Sequence, residues 1–348
     1  MVSTHLQIFH GAGQPLTFEQ RELEFNPGPG EVLVAIELAT ICGSDLQMKA
    51  DQTEEDQDPV GHEVAGEIVE AGPGVDESLI GKRVAMEIIG HGKACLSCWY
   101  CRMGQYRQCQ NMSEIVGGGF AEYIKRKAVG CYVMPDNMSW EEGALVEPFA
   151  VSLHGVRRGR LIGEETVVVL GSGNIGLTAV AAARALGAGK IFVTARHEQQ
   201  ASMAKVLGAD YAFQPDDPAF EDAVLDATEG RGADLTIETV GGWNPAPLEQ
   251  AITVTRKQGR FVVIGGYRTP VTVDWLRPML KEQTIVFSSC YGIVDGRHDY
   301  EVAIEMMASG KVPLSNMVTH RVSLDEIQKG FETAYDKSTG CIKVQVLQ

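Results

Sequence analysis

The chain has 348 residues, average apolar and charged content, and a formal net charge of −16. That length allows two domains with separate cores, and the negative field repels polyanions, which argues against nucleic-acid binding. No apolar run approaches a membrane span, and eight cysteines are too few for a disulfide scaffold in so long a chain.

The first residues, MVSTHLQIFHGAGQPL, show no basic region followed by an apolar core, so a cytoplasmic protein is expected. Residues 1–151 read as a first domain. The runs EVLVAIELA, EVAGEIVEAG, RVAMEIIG and FAEYIKR alternate in hydrophobicity and are separated by glycine turns, which predicts a mostly β, irregular domain.

Two metal constellations fall inside it. Cys42 lies in ICGSD, His62 and Glu63 in Gly61-His62-Glu63, and Glu147 in VEPFAVSLHG. A thiolate, an imidazole and one or two carboxylates are the ligand types of a catalytic zinc with an open position. Such a cation polarises a carbonyl or lowers the pKa of an alcohol held in that position. Taken singly, each residue has a bland alternative: a small core cysteine, a solvated turn, a helix start. Their joint occurrence carries the reading.

Between them lies an acidic loop with Asp51, Glu54, Glu55, Asp56 and Asp58, beside Lys49. It reads first as a solvated loop, and second as a field that selects a cationic or amino-bearing substrate. The second constellation is Cys95, Cys98, Cys101 and Cys109, in CLSCWYCRMGQYRQC. Four thiolates in this spacing close tetrahedrally on one zinc with no open position, so the site staples a loop and does no chemistry. The two constellations predict two zinc ions per chain. Cys131, Cys290 and Cys341 are expected to pack.

Residues 152–290 switch to apolar strands alternating with amphipathic helices, the pattern of a doubly wound parallel sheet. TVVVLGSG leads into NIGLTAVAAARALGA, IFVTA into QQASMAKVLGA, and ADLTIETVGG, GRFVVIGG and TIVFSS follow, with a helix expected from Pro247 to Thr255. Gly171-Ser-Gly173-Asn174-Ile175-Gly176 is a GxGxxG turn between a buried strand and an Ala-rich helix. The first glycine permits the turn, the second lets the backbone approach a pyrophosphate, and the third lets helix and strand pack closely. At the end of the next strand, where an acidic side chain would hold the ribose of NAD, stand Ala195, Arg196 and His197. A small residue followed by a planar cation suits a 2′-phosphate, so NADP(H) is expected over NAD(H). Residues 291–348 show two helix-like segments and the strand-like IKVQVL, and are expected to return to the first domain.

Taken together, these motifs resemble the medium-chain, zinc-dependent alcohol dehydrogenases over essentially the whole chain. They are Cys42-Gly-Ser-Asp45, Gly61-His-Glu63, the four-cysteine lobe, Gly117-Gly-Gly-Phe-Ala-Glu-Tyr123, Glu147-Pro148 and the glycine turn. The Gly-Ser-Asp and Glu-Pro pieces look most like the polyol, butanediol and threonine dehydrogenase branch. The classical liver-type enzymes have cysteine at the position matching Glu147. The resemblance implies an α/β protein with a GroES-like catalytic domain and a Rossmann domain. It assigns Cys42, His62 and Glu147 to a catalytic zinc, with Glu63 either a ligand or a nearby carboxylate that exchanges with water, and the four lobe cysteines to a structural zinc.

Ser44 matches a hydroxyl that relays the alcohol proton in many members, although it also reads as a helix cap. Many relatives carry a histidine three residues on, where this chain has Gln47, which cannot titrate. The implied reaction is hydride transfer between NADP(H) and a small polar secondary alcohol or ketone, in a homodimer or homotetramer. One rival is an NAD-dependent sugar-alcohol or threonine-type enzyme. The other is a non-catalytic dinucleotide-sensing or zinc-storage protein, which would have no need of an open zinc position.

Overall fold

The computed structural model describes residues 2–8, 10, 13–23, 26–51, 61–113 and 117–348. Glu54, Glu55, Asp56 and Asp58 of the acidic loop lie outside the described residues, as do the side chains of Lys49 and Asp51. The chain divides into two compact units. One comprises Met1–Glu147, Gly296–Ala308 and Ser315–Gln348, the other Pro148–Asp295 and Ser309–Leu314.

The first unit is built on a mostly antiparallel sheet. Its strands run in the order Val318–Ser323, Lys343–Leu347, Glu31–Thr40, Glu63–Ala71, Arg83–Glu87 and Cys131–Val133, with Tyr123–Lys127 also paired to Glu31–Thr40. The last strand of the chain pairs with the first long one, Gln345 opposite Thr40 and Val346 opposite Ala39. The tail also fills the core. Ile327 and Phe331 join Val34, Ile36, Val64, Ile68 and Phe120 in one buried cluster. RVAMEIIG yields only the strand Arg83–Glu87. It stops there because the Glu87 carbonyl and carboxylate both turn to the following loop, accepting the N–H groups of Gly92 and His91.

In the second unit six parallel strands run Tyr211–Phe213, Lys190–Thr194, Thr166–Leu170, Ala233–Glu238, Thr255–Val263 and Thr284–Phe287. This is the Rossmann order, and the direction of winding reverses between Thr166–Leu170 and Ala233–Glu238. The expected helix near Pro247 is Ala246–Val254.

Three boundaries differ from those read from the residue string. The first unit ends at Glu147, inside the helix Trp140–Arg158, which continues through Pro148 at that point. The second unit continues to Asp295, and it includes Ser309–Leu314, where Val312 and Leu314 are buried. No helix among the described residues is long and apolar enough to cross a membrane.

Candidate active site and dinucleotide turn

Ladder register places the first set of residues. Thr40 and Glu63 are directly opposite on adjacent strands, so Cys42, just beyond one strand end, meets His62 and Glu63 at the start of the next. Gly61 holds this entry at φ +96°, and a Cβ there would lie 3.0 Å from the Phe120 ring. The donor atoms of Cys42, His62 and Glu63 all lie within 4.8 Å of one another.

Asp45, fully buried, holds two of them. Its Oδ2 accepts the Cys42 N–H at 2.8 Å, and its Oδ1 stands 3.4 Å from His62 Nδ1. This charge orients the imidazole, leaving Nε2 for a metal. Burial pulls the His62 pKa down, but Asp45 and then Cys42 outweigh it and hold the ring well above its ordinary value. Ser44 Oγ is 3.5 Å from His62 Nε2.

Glu63 is equally buried. Its Oε2 lies 2.5 Å from Lys343 Nζ and accepts from the Thr40 hydroxyl, while Oε1 has no hydrogen-bond partner. A buried carboxylate oxygen of this kind fits a cation beside it. Burial pushes Lys343 down, yet Glu63 and Cys42 keep it above its usual range. Glu147 does not join the 4.8 Å set. It is buried nearby, and burial pushes it up to about 7 despite the His62 charge.

The lobe cysteines converge locally. Cys95, Cys98, Cys101 and Cys109 present their sulfurs within 4.8 Å of one another, and among the described residues every cysteine is a free thiol. Backbone N–H groups point at them: Cys98 N lies 3.3 Å from Cys95 Sγ, and Cys95 N lies 3.2 Å from Cys109 Sγ. The Ser97 hydroxyl and N–H, with the Cys98 N–H, hold the Cys95 thiol down to about 5, while burial pushes Cys101 up to about 12. Four converging sulfurs with N–H donors fit a tetrahedral thiolate site. Cys341 and Cys131 pack in and against the first unit's core.

In the second unit the turn after Thr166–Leu170 has the steric form of a phosphate cradle. Gly171 sits at φ +92°, and a Cβ on Gly176 would lie 2.0 Å from the Gly171 carbonyl oxygen. Gly173 faces open space and caps the helix Asn174–Ala185 with no side-chain acceptor, so the first-turn N–H groups, among them those of Asn174 and Ile175, point outward. Thr194 and Thr239 brace the turn, through the Gly171 N–H at 2.8 Å and the Leu170 carbonyl at 2.8 Å. Ala195 is buried at the end of Lys190–Thr194, Arg196 is exposed, and His197 opens the helix Glu198–Val206.

Family models cover both units. One described as a zinc-binding dehydrogenase matches residues 174–309, and one described as the GroES-like domain of alcohol dehydrogenase matches 28–136. Sorbitol dehydrogenase of Bacillus subtilis is 34% identical over 328 residues, 91% of this chain and 90% of that protein. The chain belongs to the medium-chain zinc-dependent alcohol dehydrogenases. L-threonine 3-dehydrogenase of Pyrococcus horikoshii is 34% identical, covering 90% of each chain. An Escherichia coli oxidoreductase of unknown specificity superposes with a TM-score of 0.90 at 28% identity, covering 99% of each chain.

Two residues of this alcohol dehydrogenase site had no place in the sequence reading. Asp45 stands in the sequence only as the end of the Cys-Gly-Ser-Asp motif. Its signal is the Asp three residues after a candidate ligand at the first turn of a helix, where it can reach back to the Cys42 N–H. Lys343 had a clearer signal, a lysine inside the apolar run CIKVQVL. A cation in a strand buried on both faces needs a buried anion, which the sequence does not name.

Proposed function

We propose that this dehydrogenase interconverts a small polar secondary alcohol and its ketone, with NADP(H) as hydride partner and two zinc ions per chain. The reading is carried by the convergence of Cys42, His62 and Glu63 beside buried Asp45 and Lys343. When bound, zinc supplies Lewis acidity at the substrate oxygen and the nicotinamide gives or takes the hydride. The chain itself orients and neutralises. Asp45 fixes the His62 ring, and Lys343 pairs with the Glu63 carboxylate. Glu147 would serve as the carboxylate ligand of the set, with Glu63 either a further ligand or a nearby carboxylate that exchanges with water. The Ser44 hydroxyl can pass the alcohol proton outward, since a hydroxyl both donates and accepts. With Gln47 in the next helical turn, the proton then leaves to water or to a ribose hydroxyl. Cys95, Cys98, Cys101 and Cys109 hold the second zinc, which staples the lobe.

Gly171, Gly173, Asn174, Ile175 and Gly176 would receive the pyrophosphate, with Ala195, Arg196 and His197 at the ribose. Ala195 neither binds a ribose hydroxyl nor repels a 2′-phosphate, and Arg196 offers a charge-assisted pair. In the rival reading, NAD with a sugar alcohol, Arg196 is a solvated surface arginine. We further propose a cytoplasmic homo-oligomer. The edge strand Thr284–Phe287 ends in an exposed Phe287, near Trp275, Leu276, Met279 and Leu280 in sequence, all more than half exposed, and such an edge suits pairing with a second copy.

The test is kcat/KM for NADP⁺ and NAD⁺ across diols, polyols and amino alcohols, with elemental zinc analysis. Arg196→Ala should lower NADP⁺ affinity about thirtyfold, on the order of 2 kcal/mol. Adding Ala195→Asp should reverse the preference. Active protein without zinc would refute the metal assignment, and a wild-type preference for NAD⁺ would refute the cofactor assignment.

A further inference from the structure

We infer that Glu87 is a positioning residue that joins the cysteine lobe to the strand carrying Glu63, so that the two proposed zinc sites retain their metal together. The inference rests on the two-zinc reading above.

Glu87 ends the strand Arg83–Glu87 and stands directly opposite Glu63 in the ladder. Opposed residues of an antiparallel pair share one face of the sheet. Glu63 is matched there by Lys343. Glu87 is met instead by polar groups from three segments. Its Oε1 accepts the His91 N–H at 2.6 Å, its Oε2 accepts the Tyr132 hydroxyl at 3.2 Å, and His298 Nε2 lies 3.2 Å from Oε2.

The turn from Glu87 into the lobe has little steric freedom. A Cβ on Gly90 would lie 2.3 Å from Glu87 Oε1, and one on Gly92 would lie 2.5 Å from the Glu87 carbonyl. His91 then stacks on Tyr106 at 4.0 Å between ring centroids, and Tyr106 sits in the lobe between Cys101 and Cys109. Tyr106 and Tyr132 also flank the His298 ring, at 5.6 and 5.2 Å. One carboxyl group thus shapes the root of the lobe and borders the Glu63 strand.

Glu87, His91 and His298 also place three possible ligand atoms within 4.8 Å of one another. Hydrogen-bond polarity separates this group from the Cys42 set. The Tyr300 N–H donates to His298 Nδ1 at 3.2 Å, so the neutral ring carries its proton on Nε2, the atom facing Glu87. A metal needs a lone pair at that atom. At His62 the polarity is reversed, because Nδ1 faces the Asp45 carboxylate. Glu87 is therefore a joint, hydrogen-bonded to the His91 N–H and the Tyr132 hydroxyl, with His298 Nε2 3.2 Å away.

The test follows zinc release from the purified enzyme into a chelator, with Cys98→Ser used to assign the lobe's phase. Glu87→Ala should speed release from both sites about tenfold, the scale of lost outer contacts at metal sites. Tyr132→Phe, which keeps the ring, should do the same by a smaller factor and serves if Glu87→Ala fails to fold. Glu87→Gln, which keeps an acceptor for the His91 N–H, should restore slow release. Hydrogen exchange at residues 63–66 and 88–95 should rise in Glu87→Ala and Tyr132→Phe. That readout needs no metal, so zinc-free wild-type protein would refute the two-zinc reading without touching the joint. Faster release from the lobe alone, unchanged exchange at 63–66, or a third divalent cation lost in Glu87→Ala would each overturn the inference.

Discussion

The cysteine lobe and the Cys42 set are two ways of gathering metal donors in one unit. The lobe draws four sulfurs from residues 95–109 and surrounds them with N–H groups of the same loop. The Cys42 set draws on two strand ends, a helix and the last strand of the chain, and buries Asp45, Glu63 and Lys343 completely. The first arrangement is local and has little to hold four thiols together except a metal. In the second, sheet register and counter-charges hold the donors in place before any metal arrives. The lobe should therefore fail locally when disturbed, and the Cys42 set should fail with the sheet.

The strongest way to break this contrast is Lys343→Met. It leaves the Glu63 carboxylate buried without its cation, and removing one partner of a buried pair costs about 3–5 kcal/mol. The urea midpoint should fall accordingly, and a wild-type midpoint would refute preformation by counter-charge. Next comes Asp45→Asn. The amide oxygen can still accept the Cys42 N–H, but the charge facing His62 Nδ1 is gone. Metal affinity of that site, or activity, should drop about 10–100-fold while the lobe keeps its metal, as read by elemental analysis after dialysis.

Cys98→Ser sharpens the other side. The lobe should lose its metal and become open to proteolysis within residues 95–109, and the urea midpoint should move less than in Lys343→Met. An equal shift in both variants would mean that the lobe is not local at all.

The same contrast explains what the residue string revealed. The lobe is legible because its spacing is its geometry. Cys42, His62 and Glu63 are legible as ligand types, but their meeting depends on Thr40 standing opposite Glu63, which is set by long-range pairing. Lys343 is visible as a misplaced cation, with no hint of its partner. Glu147 shows the converse. The resemblance assigns it to the catalytic zinc, and it is buried nearby, while the carboxylate within the 4.8 Å set is Glu63. The Rossmann strands were legible because periodicity and the glycine turn are local. The boundary at Glu147 was hidden by an unbroken helix.

The smallest expected effect probes the joint between the two regions by pH. Burial, with a lesser contribution from the Lys127 charge, holds the His91 imidazole down to about 4 from an ordinary 6.5. The unfolded chain therefore takes up a proton near 6.5 and the folded protein only near 4. Stability from this group is complete above 6.5 and is lost as pH falls from there toward 4. His91→Phe keeps a ring to stack on Tyr106 and cannot titrate. Metal loss at low pH affects both proteins, so the comparison is the difference between them at equal zinc. The Tm of wild type should fall more steeply than that of His91→Phe between pH 6.5 and 4, and the two should run parallel above it. Parallel curves throughout would mean that His91 is solvated, and that the lobe meets the sheet through the Glu87 turn without its imidazole.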